Sequence, residues 1–187
     1  MAVIRALKTE KGFIKSYKRV IKVENKILVS NKSILRVNTP QLVNKDTIFP
    51  TLTRNGVTFT NNGDGTITIN GTASADMFEV FLTINNLPQN YKVLVRGCPK
   101  GGTTTTYFIG TNQGPRDLGE GVIIDLSSRK NYINFYIMIK NGFTADNLIF
   151  RPQVINITQA FGEGNEPATA EEAEAILGKD YIPYQYI

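Results

Sequence analysis

The sequence contains no histidine and a single cysteine, and these two shortages exclude several classes of function. Without histidine the chain lacks the usual general base, the commonest metal ligand and any Ser–His or Cys–His pair. We therefore expect no zinc or other metal site and no cofactor. Cys98 cannot form an intrachain disulfide, which fits assembly in a reducing cytoplasm. Its surroundings, CPKGG, offer no base, so a tolerated loop thiol is preferred to a nucleophile.

Long apolar runs are also missing. The chain has no run of eighteen apolar residues, so no segment is predicted to span a membrane. The first twenty residues carry six lysines and arginines without a long apolar block, and we therefore expect no signal peptide.

The charge is unevenly distributed along the chain. Residues 1–45 have a net charge of +9, whereas residues 46–187 have a net charge of −4. A cationic segment next to an acidic body suggests an acidic partner, such as nucleic acid, a neighbouring subunit or the body of another copy, although a solvated basic face has the same pattern. The cations that define this segment are Arg5, Lys8, Lys11, Lys15, Lys18, Arg19 and Lys22.

Residues 1–50 alternate irregularly and are rich in isoleucine and valine, which favours short strands. Phe13, Tyr17 and Val20 stand at helical spacing, so one helix remains an alternative. Either structure would have too few apolar residues for a core of its own. We therefore interpret residues 1–50 as an assembly or attachment arm and residues 51–187 as one domain.

The pattern becomes regular from Leu52 onwards and predicts an all-β fold. Alternating apolar residues on either side of the turn NNGDG indicate a hairpin, and about eight strands follow at close spacing. This is the strand count of a jelly-roll-like, two-sheet β-sandwich. The predicted core consists of Val57, Phe59, Ile67, Ile69, Phe78, Val80, Ile133, Phe135, Ile137 and Phe150.

Residues 147–167, NLIFRPQVINITQAFGEGNEP, begin as a strand that Pro152 should bulge, end or place at an edge. Thr158 is predicted to cap a short turn through Phe161. The run TAEE at residues 169–172 is a capping box, and it predicts one short C-terminal helix that ends at Leu177 before Gly178. We expect this helix to seal an edge of the sandwich.

This stretch, followed by YIPYQYI, resembles the end of a domain found in bacteriophage tail and baseplate proteins, and NGVTFTNNGDGTITINGTAS resembles the opening hairpin of the same domains. The resemblance begins near Leu52 and does not reach the first fifty residues. It implies a β-sandwich in a virion protein, often one that holds host surface glycans.

The resemblance favours a tail, baseplate or fibre component, assembled in the host bacterial cytoplasm and located in the virion. Its expected partners are other virion subunits, further copies of the same chain and host-surface carbohydrate, rather than nucleic acid or a membrane. One alternative is a head or neck decoration protein, or head fibre, with a purely structural role. Another is a cellular carbohydrate-binding module or a glycan hydrolase.

A glycan site is predicted at the long glycine-rich loop of residues 110–121 and the strand before it. Sugars are held by aromatic faces together with amide, carboxylate and guanidinium groups, and loops at a sandwich rim often carry function. The candidate ligands are Tyr107, Asn112, Gln113, Arg116 and Asp117. The alternative is an ordinary polar loop. Tyr132 and Tyr136 are a second candidate surface, unless they lie under the C-terminal helix.

Catalysis is not expected. A glycosidase would need two carboxylates flanking a sugar, and the sequence offers Asp117 with Glu120 or Glu163 with Glu166. Loop acids of this kind are common, and spacing alone cannot place either pair across a substrate. Asp64 could bind calcium through oxygen, but Asn, Asp and Gly are also the usual residues of turns.

Overall fold

The computed structural model describes residues 41–44, 46–85, 91–112, 114–127 and 132–177. The seven arm cations, Gln113 and the C-terminal YIPYQYI lie outside these residues. The described part forms ten strands and two short helices. The strands are β1 Leu52–Arg54, β2 Val57–Asn61, β3 Ile67–Thr72, β4 Met77–Asn85, β5 Lys92–Arg96, β6 Tyr107–Thr111, β7 Val122–Asp125, β8 Tyr132–Ile139, β9 Thr144–Phe150 and β10 Gln153–Asn156; the helices are α1 Ile157–Phe161 and α2 Ala170–Leu177.

The all-β sandwich predicted from the sequence is confirmed, but its strands form three hydrogen-bonded sheets instead of two. Sheet 1 has the order β1-β2-β3-β9, sheet 2 the order β4-β8-β6 and sheet 3 the order β10-β5-β7, and every pairing is antiparallel. Inward residues of all three sheets share one apolar core. A second, smaller cluster lies on the other face of sheet 3 beneath the helices.

The division between sheets 1 and 3 occurs at Pro152, between β9 and β10. Proline has no backbone N–H, so the ladder cannot continue through it. Opposite this point, Gly97 has φ +110°, and a Cβ there would lie 1.9 Å from the carbonyl oxygen of Arg151. The close approach allows the Arg151 N–H to donate to the Gly97 carbonyl at 2.9 Å. The sequence correctly indicated that the strand is interrupted here.

Most of the predicted core is buried, including Val57 and Phe59 of β2 and the alternate residues of β8. The prediction is wrong for Phe78, whose side chain is 59% exposed, and for Val80, which is only partly buried. The cause is a β-bulge in β4. Val80 pairs with Tyr136 and Leu82 pairs with the next residue of β8, so Phe81 is an extra residue and the inward face changes there.

Residues 41–44 and 46–49, which we assigned to the arm, pack against the sandwich. The Leu42 N–H donates to the Val154 carbonyl at 2.8 Å, and the Gln41 side-chain oxygen accepts from the Val154 N–H at 2.9 Å. Val43 and Ile48 are buried in the main core. The chain therefore joins the edge of sheet 3 before β1 begins.

The described residues contain two helices where one was predicted. The short turn expected through Phe161 is helix α1, and its N-cap is Asn156, whose side chain accepts from the Gln159 N–H at 2.9 Å. Thr158 was expected to be the cap, but it lies inside the helix. Helix α2 begins as predicted, with Thr169 Oγ1 accepting from the Glu172 N–H at 3.1 Å. Neither helix in the described part has the length and hydrophobicity needed to cross a bilayer.

Candidate functional site

Tyr107, the aromatic residue of the predicted glycan loop, belongs to the core. It begins β6 and is 7% exposed. Its ring packs against Phe143 and Phe150 at centroid distances of 5.1 and 5.9 Å. Its hydroxyl donates to the Lys100 carbonyl at 2.8 Å. The side chain is therefore not available to stack on a sugar ring.

Asp117 is also not a surface ligand, because it is completely buried. One carboxylate oxygen accepts from the Cys98 N–H at 2.9 Å, and the other accepts from the N–H groups of Gly119 and Gly121 at 2.8 and 2.9 Å. Burial raises the pKa of this carboxyl, while backbone N–H donors oppose that rise. Asp117 ties the long loop to the end of β5.

Arg116 and Asn112 remain exposed and accessible. The guanidinium carbon of Arg116 lies 4.8 Å above the centre of the Phe108 ring, which is a cation–π contact. The Asn112 side-chain oxygen accepts from the Asn134 N–H of β8 at 2.9 Å. Arg116 and Asn112 therefore remain candidate ligands, and both lie beside the outer face of sheet 2.

The outer face of sheet 2 carries a band of aromatic and apolar side chains. The strand register places Phe78, Met138 and Phe108 in one row across the sheet, and Val80, Tyr136 and Gly110 in the next. We call this surface the platform, defined by Phe78, Val80, Phe108, Tyr136 and Met138, with Arg116 covering Phe108. None of these side chains contributes to either core cluster.

The rings of Phe78 and Tyr136 form an open angle on the platform. Their centroids are 5.6 Å apart with an interplanar angle of 59°, and the Tyr136 hydroxyl donates to the Thr111 carbonyl at 3.3 Å. A Cβ at Gly110 would lie 2.9 Å from both the Phe108 and Tyr136 rings. Because position 110 is a glycine, the Phe108 and Tyr136 rings can both lie close to the backbone of β6 at this point.

The platform becomes polar further along the strands. Thr83 Oγ1 donates to the Asn134 side-chain oxygen at 2.9 Å, and the last row pairs Asn85 with Tyr132, which is 46% exposed. With about 6.8 Å between rows, the surface from Phe78 to Tyr132 is about 20 Å long. Tyr132 and Tyr136 do not lie under the C-terminal helix, because both helices pack against sheet 3.

The motif that resembles the phage domains is a scaffold in this structure. Glu166 accepts from Thr158 Oγ1 at 2.8 Å and from the Gly164 N–H at 2.9 Å, and Lys92 Nζ lies 3.5 Å away. Burial alone would raise the pKa of Glu166, but the bond from Thr158 and the charge of Lys92 hold it below its usual value. The loop FGEGNEP therefore joins the two helices to β5.

Several of the candidate catalytic and metal-binding groups have structural contacts. Asp117 and Glu166 anchor loops, as described above, and burial raises the pKa of the Cys98 thiol well above its ordinary range. Asp64 accepts from the Thr66 N–H and hydroxyl at 2.9 and 2.6 Å within the hairpin turn. In the described part of the chain, no three Cys, Asp or Glu side chains are grouped as metal ligands would be.

Sequence reasoning missed Phe78, the most exposed large apolar side chain of the described residues. Its neighbours in β4 alternate regularly, and the bulge that turns Phe78 outwards leaves no local composition signal. No family model matches the chain, and neither does any curated protein or any solved structure.

Proposed function

We propose that this chain is a structural protein of a bacteriophage virion, a tail, baseplate or fibre component, whose sandwich holds a host-surface glycan on the platform. The virion assignment rests on the sequence resemblance. The observation that carries the glycan assignment is the exposed ring of Phe78, set at an angle to the half-buried ring of Tyr136 and next to a guanidinium in contact with Phe108. Catalysis has no part in the proposal.

The platform has the chemistry that carbohydrate recognition needs. Aromatic rings shield the apolar C–H faces of a pyranose, and amide and guanidinium groups bond its hydroxyls. Exposing an aromatic side chain such as Phe78 forgoes the stabilisation that its burial would give, so the exposure suggests a surface that makes contact. Arg116 is ordered by Phe108 before any ligand binds, which reduces the entropy lost on binding.

A single platform should bind weakly. Each sugar hydrogen bond contributes only about 0.5–1.5 kcal/mol, because water competes for the same groups. A few such bonds and one stacked ring correspond to a Kd of about 1 mM. Several copies on one particle would raise the effective affinity, so the proposal includes a homo-oligomer attached to other virion subunits through the basic arm.

The test is a glycan array probed with the oligomeric full-length protein and its Phe78→Ala variant. We expect the variant to bind at least about tenfold more weakly, since losing about 1.4 kcal/mol of stacking has that effect. Ile149→Ala is the matched control, because Ile149 is an exposed apolar residue of β9 in sheet 1. If no glycan binds, or if Phe78→Ala binds as the parent does, the glycan proposal is wrong and a purely structural decoration role replaces it.

A further inference from the structure

A groove lies at the Phe78 end of the platform, between the β1–β2 turn and the start of β4. It has a volume of about 350 Å³ and is lined by Arg54, Asn55, Asp76 and residues 77–80. This volume is near the lower limit for small-molecule pockets, which span about 300–1,000 Å³. Phe78 and Val80 line the groove and also belong to the platform, so the two surfaces are continuous.

Glu79 supplies a carboxylate to the wall of the groove. The residue is 8% exposed, and its buried Oε1 accepts no hydrogen bond from any described residue. Arg54 Nη1 lies 3.0 Å from this oxygen, so the two charges are in contact, but the N–H is not aligned on Oε1. A ligand that donates to this carboxylate would complete the hydrogen bonding that the contact with Arg54 leaves unfilled.

The walls of the groove are held in place by their own hydrogen bonds. The Asn55 carbonyl accepts from the Ser74 N–H at 2.9 Å, and its side-chain amide contacts Met77 Sδ at 3.1 Å. Asp76 accepts from the Asn141 N–H at 2.9 Å and from the ammonium group of Lys140. The bond from Lys140 holds the pKa of Asp76 below its usual value, so this carboxylate is ionised at neutral pH.

We infer that this groove is a second sugar subsite, which holds the ring next to the one on the platform and selects neutral or amino sugars over acidic ones. The inference rests on the proposed function. Phe78 is the shared aromatic wall, and Glu79 accepts a hydrogen bond from a hydroxyl, amide or ammonium group of the second ring. An acidic sugar would instead set its carboxylate against that of Glu79. The two cations beside the groove, Arg54 and Lys140, already face carboxylates.

The test is a titration of the ¹⁵N-labelled full-length protein with three sugars, followed by amide chemical shifts. The probes are the trimers of N-acetylglucosamine, glucosamine and galacturonic acid. We expect the first two to shift the amides of Asn55 and Asp76 together with that of Tyr136, and the acidic trimer to bind at least about tenfold more weakly. Glu79→Gln should weaken binding of the glucosamine trimer most, because its ammonium group loses a charged acceptor.

Glu79→Gln is compared with Glu163→Gln, a charge change at an exposed loop residue away from the groove. The shift pattern of the parent protein does not depend on any variant, so the inference stays testable if Glu79→Gln fails to fold. Shifts confined to the platform, or a preference for the acidic trimer, would overturn the inference and leave the proposed function standing. Absence of shifts with all three trimers also overturns the inference, whereas only the glycan array decides the proposed function.

Discussion

Asp117 shows how the environment of one residue determines what its side chain does. Its buried carboxylate accepts hydrogen bonds from three backbone N–H groups, those of Cys98, Gly119 and Gly121. We expect Asp117→Asn to lower the free energy of unfolding by about 1–3 kcal/mol, because the amide nitrogen would leave at least one buried N–H without an acceptor. Urea denaturation of the parent and the variant measures this difference.

Glu120→Gln is the control for Asp117→Asn, since Glu120 lies in the same loop with its side chain in solvent. Equal stability of Asp117→Asn and the parent would show that the three bonds do not stabilise the loop.

The sequence placed Asp117 among the sugar ligands because it lies in a polar, glycine-rich loop. One of its donors is Cys98, which is distant in the chain, and local composition contains no signal for such a contact. Arg116 and Asn112 are exposed, as the prediction of a binding loop requires. The groups that they contact, the Phe108 ring and the Asn134 N–H, belong to sheet 2.

The elements were predictable where alternation is uninterrupted. Strand β8 has the burial pattern that its sequence indicates, and β2 and β3 form the expected hairpin with their apolar residues buried on one face. Strand β4 was assigned wrongly because one extra residue, Phe81, reverses the alternation within the strand. This error also hid the platform, since Phe78 was placed in the core. The bulge in β4 is defined by its pairing with β8, so the sequence of β4 alone does not reveal it.

The loop between the two helices makes a pH-dependent contribution to stability through Glu166. Its pKa is lowered in the folded chain, so the stabilisation is present above the unfolded value of about 4.3 and is lost as the pH falls through the folded value. We expect Glu166→Gln to cost about 1–2 kcal/mol at pH 7, because bonds to a charged group contribute about 1.5–3 kcal/mol and the amide keeps some of them.

The measurement is denaturation of the parent and Glu166→Gln at pH 7, 5 and 3. The difference between the two proteins should shrink as the pH falls below about 4.3, because protonation of Glu166 removes the charge that distinguishes it from glutamine. Glu163→Gln, a change at an exposed position in the same loop, should have little effect at any of these pH values. A difference that is constant with pH would mean that the charge of Glu166 does not stabilise the loop.

At the scale of the whole molecule, the sequence predicted the class of fold and missed how its sheets are joined. The bridge between Gln41 and Ile155 and the corner at Gly97 and Pro152 connect segments that are far apart in the chain. Hydrophobic alternation reports which face of a strand is buried, but it does not report which strand lies beside it. The boundary at residue 50 followed the change in pattern, whereas the chain contributes to the core before that change.

Two truncations separate assembly from folding. A chain that starts at residue 41 keeps Val43 and Ile48 in the core, and a chain that starts at residue 51 loses both. We expect the longer chain to be more stable by about 3–6 kcal/mol, since burying each of these side chains contributes about 1.5–3 kcal/mol. Thermal and urea unfolding measure this difference, and equal stability would place residues 41–49 outside the folding unit.

Assembly is the second measurement on the same two chains. Both lack the seven arm cations, so if the arm attaches the sandwich to its partners, neither should form oligomers or enter particles, although the chain from residue 41 is folded. Sedimentation and particle incorporation are compared with those of the full-length protein. A folded 41–187 chain that still assembles would show that the body makes the contacts, and the multivalency that weak glycan binding requires would then come from the sandwich itself.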